Sequence, residues 1–290
     1  MHVHTVVPAA GPNGAHASRE ACAAAALRAW LAAHRRILVL TGAGISTASG
    51  IPDYRGPDGL WKRRAPITYQ AFMREPAMRA RYWARSFVGW PLLARAQPNH
   101  AHEALVVLEG RGRIARLVTQ NVDGLHARAG QRDVIDLHGR IDAVICTDCA
   151  NRMARAQIQQ MLADANPAWA GLAAAAAPDG DADLDGMAFD DFRIPHCARC
   201  SGLLKPDVVF FGENVPRERV FEAHDALASA DGLLVLGSSL MVYSGFRFAR
   251  MAHERGMPLA IVTRGMTRAD AIATLKLEAD CETVLPDAIG

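Results

Sequence analysis

The chain has 290 residues, of which 50% are hydrophobic and 21% are charged, and its formal net charge is +2. This length accommodates one large domain with a smaller module, and this composition excludes a disordered chain. The small net charge gives no support for nucleic-acid binding. We therefore expect a globular protein with no specific nucleic-acid partner.

The N-terminal segment, residues 1–35, contains one apolar stretch, Ala21 to Leu31, which is mostly alanine and includes Arg28. This stretch is too short and too weakly apolar to span a bilayer. The segment also lacks the basic start and the cleavage site of a signal peptide. We expect a helix from about Ser18 to His34, no membrane partner and a cytoplasmic protein.

Short apolar segments alternate with helical patterns along much of the remaining chain. Strands are predicted at Ile37–Leu40, Ile114–Val118, Val134–Leu137, Asp207–Phe211, Leu233–Leu236 and Leu259–Val262, and helices at Arg219–Ala230 and Phe246–Arg255. This alternation is typical of a parallel sheet with helices on both faces. The predicted fold class is α/β, a doubly wound Rossmann-like parallel sheet over residues 36–140 and 205–290.

The alternation breaks between residues 141 and 204, where we predict an inserted small zinc-binding module. Its ends carry two Cys-x-x-Cys pairs, formed by Cys146, Cys149, Cys197 and Cys200. Four thiolates are the usual ligands of a closed structural zinc site, and a reducing compartment favours zinc over disulfides. The gap between the pairs exceeds ordinary zinc-ribbon spacing, so a redox dithiol is the alternative. The centre, Gly171 to Gly186, predicts an exposed loop.

A glycine-rich turn follows the first predicted strand. Gly42-Ala43-Gly44 would let the backbone turn tightly and bring its N–H groups against a pyrophosphate, helped by a helix N-terminus. Thr47 replaces the third glycine of the usual dinucleotide fingerprint, and no acidic residue ends a second strand about twenty residues further on. A hydride-transfer site therefore fits poorly, and the turn alone is weak evidence for a nucleotide.

Further segments make the pattern specific, namely Gly50-Ile51-Pro52-Asp53-Tyr54-Arg55-Gly56, Thr119-Gln120-Asn121-Val122-Asp123-Gly124-Leu125-His126 and His138-Gly139. Together with the glycine turn and the cysteine pairs, they resemble the sirtuins, the NAD-dependent protein deacylases, over most of residues 35–286. The chain is most similar to class II sirtuins in its long module insertion and in the segments Arg81-Tyr82-Trp83-Ala84-Arg85 and Val242-Tyr243-Ser244-Gly245.

The resemblance implies an NAD site around the glycine turn. Arg55 would pair with a phosphate oxygen through its forked donors, and Tyr54 would lie over the nicotinamide ribose. Gln120 and Asn121 would hold the ribose hydroxyls and a water, while Asp123 would accept a hydrogen bond from the nicotinamide carboxamide. The implied cofactor-binding residues are Gly42, Ala43, Gly44, Ser46, Thr47, Ile51, Asp53, Tyr54, Arg55, Gln120, Asn121, Val122, Asp123, Gly237, Ser238, Ser239, Thr263, Arg264, Gly265 and Cys281.

Some members of this set have a second interpretation. Thr263 stands where many sirtuins have an asparagine on the adenosine ribose, which is a departure from the family pattern. Cys281 aligns with a residue that contacts the adenine, with a buried core cysteine as the alternative. Asn121 and Asp123 could instead cap the following helix.

His138 is the implied catalytic base, and Asn121 is the second implied catalytic residue. A neutral imidazole with a pKa of about 6.5 suits the removal of a proton from a ribose hydroxyl at physiological pH. The chain has 11 histidines, and most histidines are surface or core residues. The spacing after the Gln-Asn-Val-Asp run, which sirtuins share, singles out His138, whereas His126 is interpreted as structural.

In sirtuins, the segments matching Lys205 to Glu213 and the residues after Leu240 form two walls between which an extended peptide adds as a strand. Val209 and Phe211 would then line the acyl-lysine tunnel. Tyr82 and Arg85 share one face of a predicted helix, at the Tyr-x-x-Arg spacing by which class III sirtuins hold acidic acyl groups. Alternatively, Arg85 pairs with a surface carboxylate and Tyr82 packs inward.

The resemblance thus implies an NAD-dependent protein-lysine deacylase that acts on acylated lysine in proteins or peptides, as a deacetylase or on longer acyl chains. Its products would be nicotinamide, free lysine and 2′-O-acyl-ADP-ribose, and it would hold one structural zinc ion. One alternative is protein mono-ADP-ribosylation at the same NAD site. Another is a zinc-dependent interaction module with a vestigial NAD site.

Overall fold

The computed structural model describes residues 12–62, 66–172, 182, 184 and 186–290. The strands are β1 (Ile37–Thr41), β2 (Ile114–Thr119), β3 (Val134–Asp136), β4 (Gly139–Cys146), β5 (Arg152–Ala154), β6 (Leu204–Val208), β7 (Gly232–Leu236), β8 (Leu259–Val262) and β9 (Leu275–Leu277). The helices are α1 (Pro12–Ala33), α2 (Tyr69–Arg74), α3 (Pro76–Arg95), α4 (His100–Gly110), α5 (Leu125–Ala129), α6 (Arg155–Ala165), α7 (Arg217–Ala228), α8 (Tyr243–Glu254) and α9 (Cys281–Ile289).

The main sheet has six parallel strands in the order β3-β2-β1-β7-β8-β9. Every residue of β1, β7 and β8 is buried, because helices cover both faces of the sheet. Leu27, Leu105 and Leu285 lie in the core on one face, whereas Leu227 and Phe248 lie in the core on the other. The predicted doubly wound α/β class is confirmed.

The strand order reverses at the centre of this sheet. Strand β1 lies between β2 and β7, so the chain builds outward from β1 in one direction and from β7 in the other. Gly42 follows the carboxyl end of β1, and Gly237 follows the carboxyl end of β7. Open α/β sheets bind ligands in the crevice at such a switch point.

The predicted strand at Asp207–Phe211 is wrong in its bounds and in its sheet. The observed strand β6 pairs antiparallel with β4 in a separate three-stranded sheet of order β5-β4-β6. The observed strand begins at Leu204 and includes the buried Lys205, although lysine is rarely buried. In the structure its ammonium nitrogen lies 3.1 Å from a carboxylate oxygen of Glu213, which allows the strand to begin earlier.

A second hydrophobic core joins the small sheet to α3 and α6. The predicted exposed loop from Gly171 to Gly186 falls partly at residues 173–181, 183 and 185, which lie outside the described residues. Within it, Ala182 and Leu184 are buried in this core, so the prediction of exposure is wrong for these two residues. Apolar side chains inside the alanine-rich stretch supply core contacts that its overall composition conceals.

The chain was predicted to divide into an N-terminal segment (1–35), a Rossmann-like domain (36–140 and 205–290) and a small module (141–204). This division stays a prediction.

Helix α1 extends further towards the N-terminus than the predicted range from Ser18. Its residues Leu27, Trp30 and Leu31 are buried against the main sheet and α9, which gives the helix one apolar stripe. Within the part of the chain that the structure describes, no helix has the length and apolar character needed to cross a membrane.

Candidate active site

A cavity of about 930 Å³ lies where the carboxyl ends of β1 and β7 face the start of α8 and the residues that follow β6. Its volume is at the upper end of the range for small-molecule and cofactor sites. Its wall includes many residues predicted from the sequence, namely Gly42, Ala43, Gly44, Asp53, Tyr54, Arg55, Tyr82, Arg85, Gln120, Asn121, Val122, His138, Val209, Phe211, Gly237, Ser238, Ser239, Thr263 and Arg264.

The remaining predicted cofactor residues lie elsewhere. Ser46, Ile51 and Asp123 line a small adjoining cavity, and Thr47, Gly265 and Cys281 are in the described lining of neither. Cys281 is buried in the core, where its thiol donates to the carbonyl oxygen of Val262 at 3.4 Å, and burial raises its pKa to about 12. This placement agrees with the alternative of a core cysteine.

The glycine turn has a different local role from the one predicted. The N–H groups of Gly42 and Gly44 already donate to the carbonyl oxygens of Leu236 and Gly237, at 3.0 and 2.8 Å. The expectation that these two N–H groups face a pyrophosphate is therefore wrong. A β-carbon on Gly44 would lie 2.9 Å from the α-carbon of Gly237, so glycine is required because two loops pack backbone to backbone.

Arg55 is held by an aromatic neighbour that the sequence analysis missed. Its guanidinium carbon lies 3.9 Å from the centroid of the Trp61 ring, and its Nη1 donates to the carbonyl oxygen of Gly59 at 2.8 Å. Trp61 also meets Tyr54 and Phe211 edge-on, with centroids 5.9 and 5.4 Å apart. A tryptophan in a loop rich in glycine and proline is the signal that could have identified it.

Asn121 and Asp123 meet at the hydroxyl of Ser46. Asn121 donates to Ser46 Oγ at 3.1 Å, and Ser46 donates to Asp123 Oδ2 at 2.8 Å. Asp123 Oδ1 also accepts from the N–H of Leu125 at 2.8 Å, so this carboxylate does hold the first turn of the following helix, as the alternative interpretation proposes. Burial raises the pKa of Asp123.

His138 lies between β3 and β4, with its ring against the cavity. Its Nδ1 is 2.9 Å from the carbonyl oxygen of Gln120. A carbonyl oxygen only accepts, so Nδ1 carries the proton and Nε2 is the acceptor nitrogen of the ring. Burial, with smaller contributions from Arg219 and Arg247, lowers the pKa of His138 to about 4. The ring is therefore neutral at physiological pH.

His126 belongs to a network behind the cofactor loop. Its Nε2 lies 2.9 Å from Thr41 Oγ1, and its ring centroid lies 4.8 Å from that of His102. His102 Nδ1 lies 2.9 Å from Asn99 Oδ1, and Asn99 Nδ2 donates to the carbonyl oxygen of Ile45 at 2.8 Å. These contacts agree with a structural interpretation of His126, whereas Asn99 and His102 were missed by the sequence analysis.

The chain after β6 forms the opposite wall. The N–H of Val209 donates to the carbonyl oxygen of His138 at 2.7 Å, and Phe211 accepts from the N–H of Tyr69 at 2.9 Å. Tyr82 packs edge-on against Phe72, with ring centroids 5.4 Å apart, and it lines the cavity as well. Tyr82 thus packs inward and lines the cavity at the same time, so its two interpretations are compatible.

The four cysteines of the two pairs form one cluster, in which all four Sγ atoms lie within 4.8 Å of one another. Cys146 and Cys200 are 3.5 Å apart, and Cys149 and Cys197 are 3.8 Å apart. A tetrahedral zinc ion with Zn–S bonds of about 2.3 Å needs sulfur atoms about 3.8 Å apart. The cluster therefore fits one zinc ion with no open coordination position.

Comparison with known proteins gives a consistent answer. The model of the Sir2 family matches residues 42–244. The NAD-dependent protein deacetylase of Xanthomonas campestris pv. campestris (strain 8004) is 57% identical over 260 residues, which cover 90% of this chain and 89% of that protein. The NAD-dependent protein deacetylase of Bordetella bronchiseptica (strain ATCC BAA-588 / NCTC 13252 / RB50) is 56% identical over 265 residues, covering 91% and 97%.

Solved structures of Sir2 proteins are similar as well. A structure described as Sir2-p53 peptide-NAD+ is 33% identical, with a TM-score of 0.69, and the match covers 88% of this chain and 92% of that one. Another, described under the mechanism and regulation of Sir2 enzymes, is 32% identical with a TM-score of 0.72, covering 94% and 96%. With a family model over most of its length and relatives above half identity, the chain belongs to the Sir2 family.

Proposed function

We propose that this protein is an NAD-dependent protein-lysine deacylase that releases nicotinamide and 2′-O-acyl-ADP-ribose. The observation that carries the proposal is a neutral imidazole, His138, on the wall of a cavity shared by the cofactor loop and the segment after β6. The relatives named as NAD-dependent protein deacetylases and the similarity to a Sir2 structure with a peptide and NAD+ support it.

The cavity fits NAD in size and in the character of its wall. Tyr54, Trp61 and Phe211 form an aromatic group on the cavity wall, beside the Arg55 guanidinium. Arg55 would hold a phosphate, and the aromatic group would exclude water from the reacting centre. When bound, NAD would supply an electrophilic ribose carbon for the acyl-lysine oxygen, with nicotinamide as the leaving group.

Residues around the small adjoining cavity would hold the nicotinamide. Ser46, Ile51 and Asp123 line it, and the buried carboxyl of Asp123 is fixed by two hydrogen bonds from Ser46 and Leu125. A fixed acceptor of this kind suits a carboxamide N–H. Asn121 lines both cavities, so it is placed to orient a ribose hydroxyl and a water.

His138 would act as the general base. Its Nδ1–H is fixed by the carbonyl of Gln120, so Nε2 is the atom that takes a proton from a hydroxyl in the cavity. Val209 begins the opposite wall, and its N–H is fixed by the carbonyl of His138 itself. The base and the peptide wall are therefore held in one geometry, with Val209 and Phe211 beside the acyl-lysine.

Zinc would stabilise the small module without entering the reaction. The four thiolates complete a tetrahedron, which leaves no position for substrate or water. Four reduced thiols persist in a compartment that keeps cysteine reduced. We therefore also propose that the protein works in the cytoplasm.

The test is turnover of acyl-lysine peptides with NAD, followed by product mass spectrometry. We expect nicotinamide, free lysine and 2′-O-acyl-ADP-ribose in equal amounts. Transfer of labelled ADP-ribose to protein with no acyl-lysine consumed would favour the mono-ADP-ribosyltransferase alternative instead. Binding of NAD with no nicotinamide release from any acylated peptide would favour the interaction module with a vestigial site.

A further inference from the structure

The hydroxyl of Ser244 lies against the nitrogen of His138 that the proposed reaction uses. Ser244 Oγ is 2.8 Å from His138 Nε2. Ser244 is in the first turn of α8, is largely buried, and lines the same cavity as His138. From the sequence, the segment Val242 to Gly245 indicated only similarity to class II sirtuins, and Ser244 was assigned no role.

The direction of this hydrogen bond follows from the other side of the ring. The carbonyl of Gln120 fixes the proton on Nδ1, so Nε2 of the neutral ring only accepts and the Ser244 hydroxyl donates. The lone pair with which His138 would act as a base is therefore occupied by the serine proton. A substrate hydroxyl must either displace Ser244 or deliver its proton through it.

The backbone around Ser244 leaves little room for displacement. A β-carbon on Gly245 would lie 2.3 Å from Oε1 of Gln120, so the start of α8 packs directly on the residue that also fixes the His138 ring. Phe248, one turn further along α8, is fully buried in the core. Serine and histidine are thus both held through contacts with Gln120.

We propose that Ser244 relays the proton from a hydroxyl bound in the cavity to His138. The O–H bond of that hydroxyl breaks as an O–H bond forms on Ser244 Oγ, while the original Ser244 O–H breaks and an N–H forms on Nε2. One proton is transferred in total, and nothing is oxidised or reduced. This inference rests on the proposed function, and it adds a catalytic residue to it.

The first experiment needs neither NAD nor turnover. The titration of His138 is followed by NMR with ¹⁵N-labelled histidine, in wild type and in Ser244→Ala. Donation from Ser244 stabilises the neutral ring, so its loss should raise the pKa of His138. Ser229→Ala, which removes a hydroxyl at the far end of α7, is the matched control and should leave this titration as in wild type. An identical titration in Ser244→Ala would overturn the proposed hydrogen bond.

The second experiment distinguishes a serine that transfers the proton from one that only occupies Nε2 until the substrate binds. We expect Ser244→Ala to lower kcat for deacylation by about 10- to 100-fold, within the range for loss of proton-transfer catalysis. The KM for NAD and the thermal midpoint should stay near wild type, and Ser244→Thr should restore most of kcat. The solvent isotope effect should fit two protons in flight in wild type and one in Ser244→Ala.

Each other outcome has a definite meaning. If Ser244→Ala deacylates as fast as wild type or faster, Ser244 only occupies Nε2 and transfers no proton, and the proposed relay is wrong. A slow Ser244→Ala that threonine does not rescue, with a lowered thermal midpoint, identifies a structural role and also overturns the relay. If wild type itself consumes no acyl-lysine, the proposed function fails, whereas the NMR result still stands.

Discussion

The cleft at the switch point and the four-cysteine cluster are held together by different physical means. In the cleft, polar side chains are fixed by protein partners, such as Gln120 for His138 and Ser46 for Asp123, above a sheet that is buried on both faces. In the cluster, four thiols face one another within 4.8 Å, in an arrangement that fits a zinc ion. The cleft is therefore held by contacts within the protein, whereas a bound ion would supply much of the stability of the cluster.

The charge states of buried groups show the same difference. His138 and His102 lose their charge on burial, which lowers the pKa of each to about 4. Arg155, at the start of α6, is fully buried and stays charged, although burial lowers its pKa to about 10. Its Nη2 donates to the carbonyl oxygen and the hydroxyl of Ser86, at 3.2 Å each. A buried cation with no carboxylate partner among the described residues lowers the free energy of unfolding of this core.

Removing one zinc ligand should therefore have the largest effect. We expect Cys197→Ser to lose its zinc, unfold the small sheet and abolish deacylation. Zinc binding to such sites is worth about 10 kcal/mol or more, which is comparable with the whole stability of a domain. Zinc content and circular dichroism of freshly purified, reduced protein measure this, with Cys22→Ser, a change to an exposed cysteine of α1, as control. A zinc-free wild type with full activity would contradict it.

In the cleft, truncation of one catalytic side chain should lower activity without unfolding the protein. We expect His138→Ala to lower kcat by about 10²- to 10⁴-fold, the usual contribution of a general base. Binding of NAD should change little, because the Arg55 and Asp123 contacts do not involve His138. Single-turnover kinetics and calorimetric NAD binding measure the two effects. Appreciable deacylation by His138→Ala would show that His138 is not the general base.

The neutral histidine behind the cofactor loop, His102, predicts a specific dependence of stability on pH. The folded pKa of His102, about 4, is below its unfolded value of about 6.5. As pH falls through 6.5 the unfolded chain binds a proton first, so this contribution to stability is complete above pH 6.5 and is lost towards pH 4. The loss is about 1.4 kcal/mol for each pH unit in that window.

The variant His102→Asn should remove this slope, since asparagine does not titrate. The free energy of unfolding, measured by urea at pH 7 and at pH 5, should therefore fall less in the variant than in wild type. His100→Asn, which changes the exposed neighbouring residue, is the matched control. Equal slopes in wild type and His102→Asn would show that His102 is already protonated in the folded protein near pH 5.

Sequence alone predicted the features that local patterns encode and missed those that depend on contacts between distant segments. Strands β1, β7 and β8 were found within one residue at each end, because fully buried parallel strands are continuous apolar runs. The four cysteines and His138 were identified by spacing that the family shares. Strand β6 was assigned to the wrong sheet because its antiparallel pairing with β4 is a contact between distant segments that no local pattern records.

The contact between Ser244 and His138 was missed for a related reason. These residues are 106 positions apart in the chain, and the packing of the start of α8 on Gln120 brings them together. The glycines of the turn were found, but the packing of Gly44 on Gly237 assigns them a steric role in place of the predicted phosphate contact. Sequence therefore predicted which residues line the cavity more reliably than it predicted their contacts.

The smallest expected effect concerns the acyl chain, where the two regions meet. Helix α3 lies between the cleft and the second core, and Tyr82 and Arg85 on it both line the cavity. An arginine at this position would attract a terminal carboxylate on an acyl chain. We therefore predict hydrolysis of acyl groups longer than acetyl, with any preference for succinyl or glutaryl chains depending on Arg85.

A partly exposed ion pair is worth at most about 1 kcal/mol, or roughly fivefold in a rate ratio. Arg85→Met should thus lower the ratio of succinyl-peptide to acetyl-peptide turnover by about that factor, because methionine keeps much of the side-chain length and removes the charge. Arg95→Met, on the exposed last turn of the same helix, controls for a change in net charge. Raising the salt concentration should reduce the ratio in wild type more than in Arg85→Met, since screening acts only on the charged side chain. If wild type and Arg85→Met give the same ratio at every salt concentration, the arginine has no selective role, and the channel distinguishes acyl groups by shape alone.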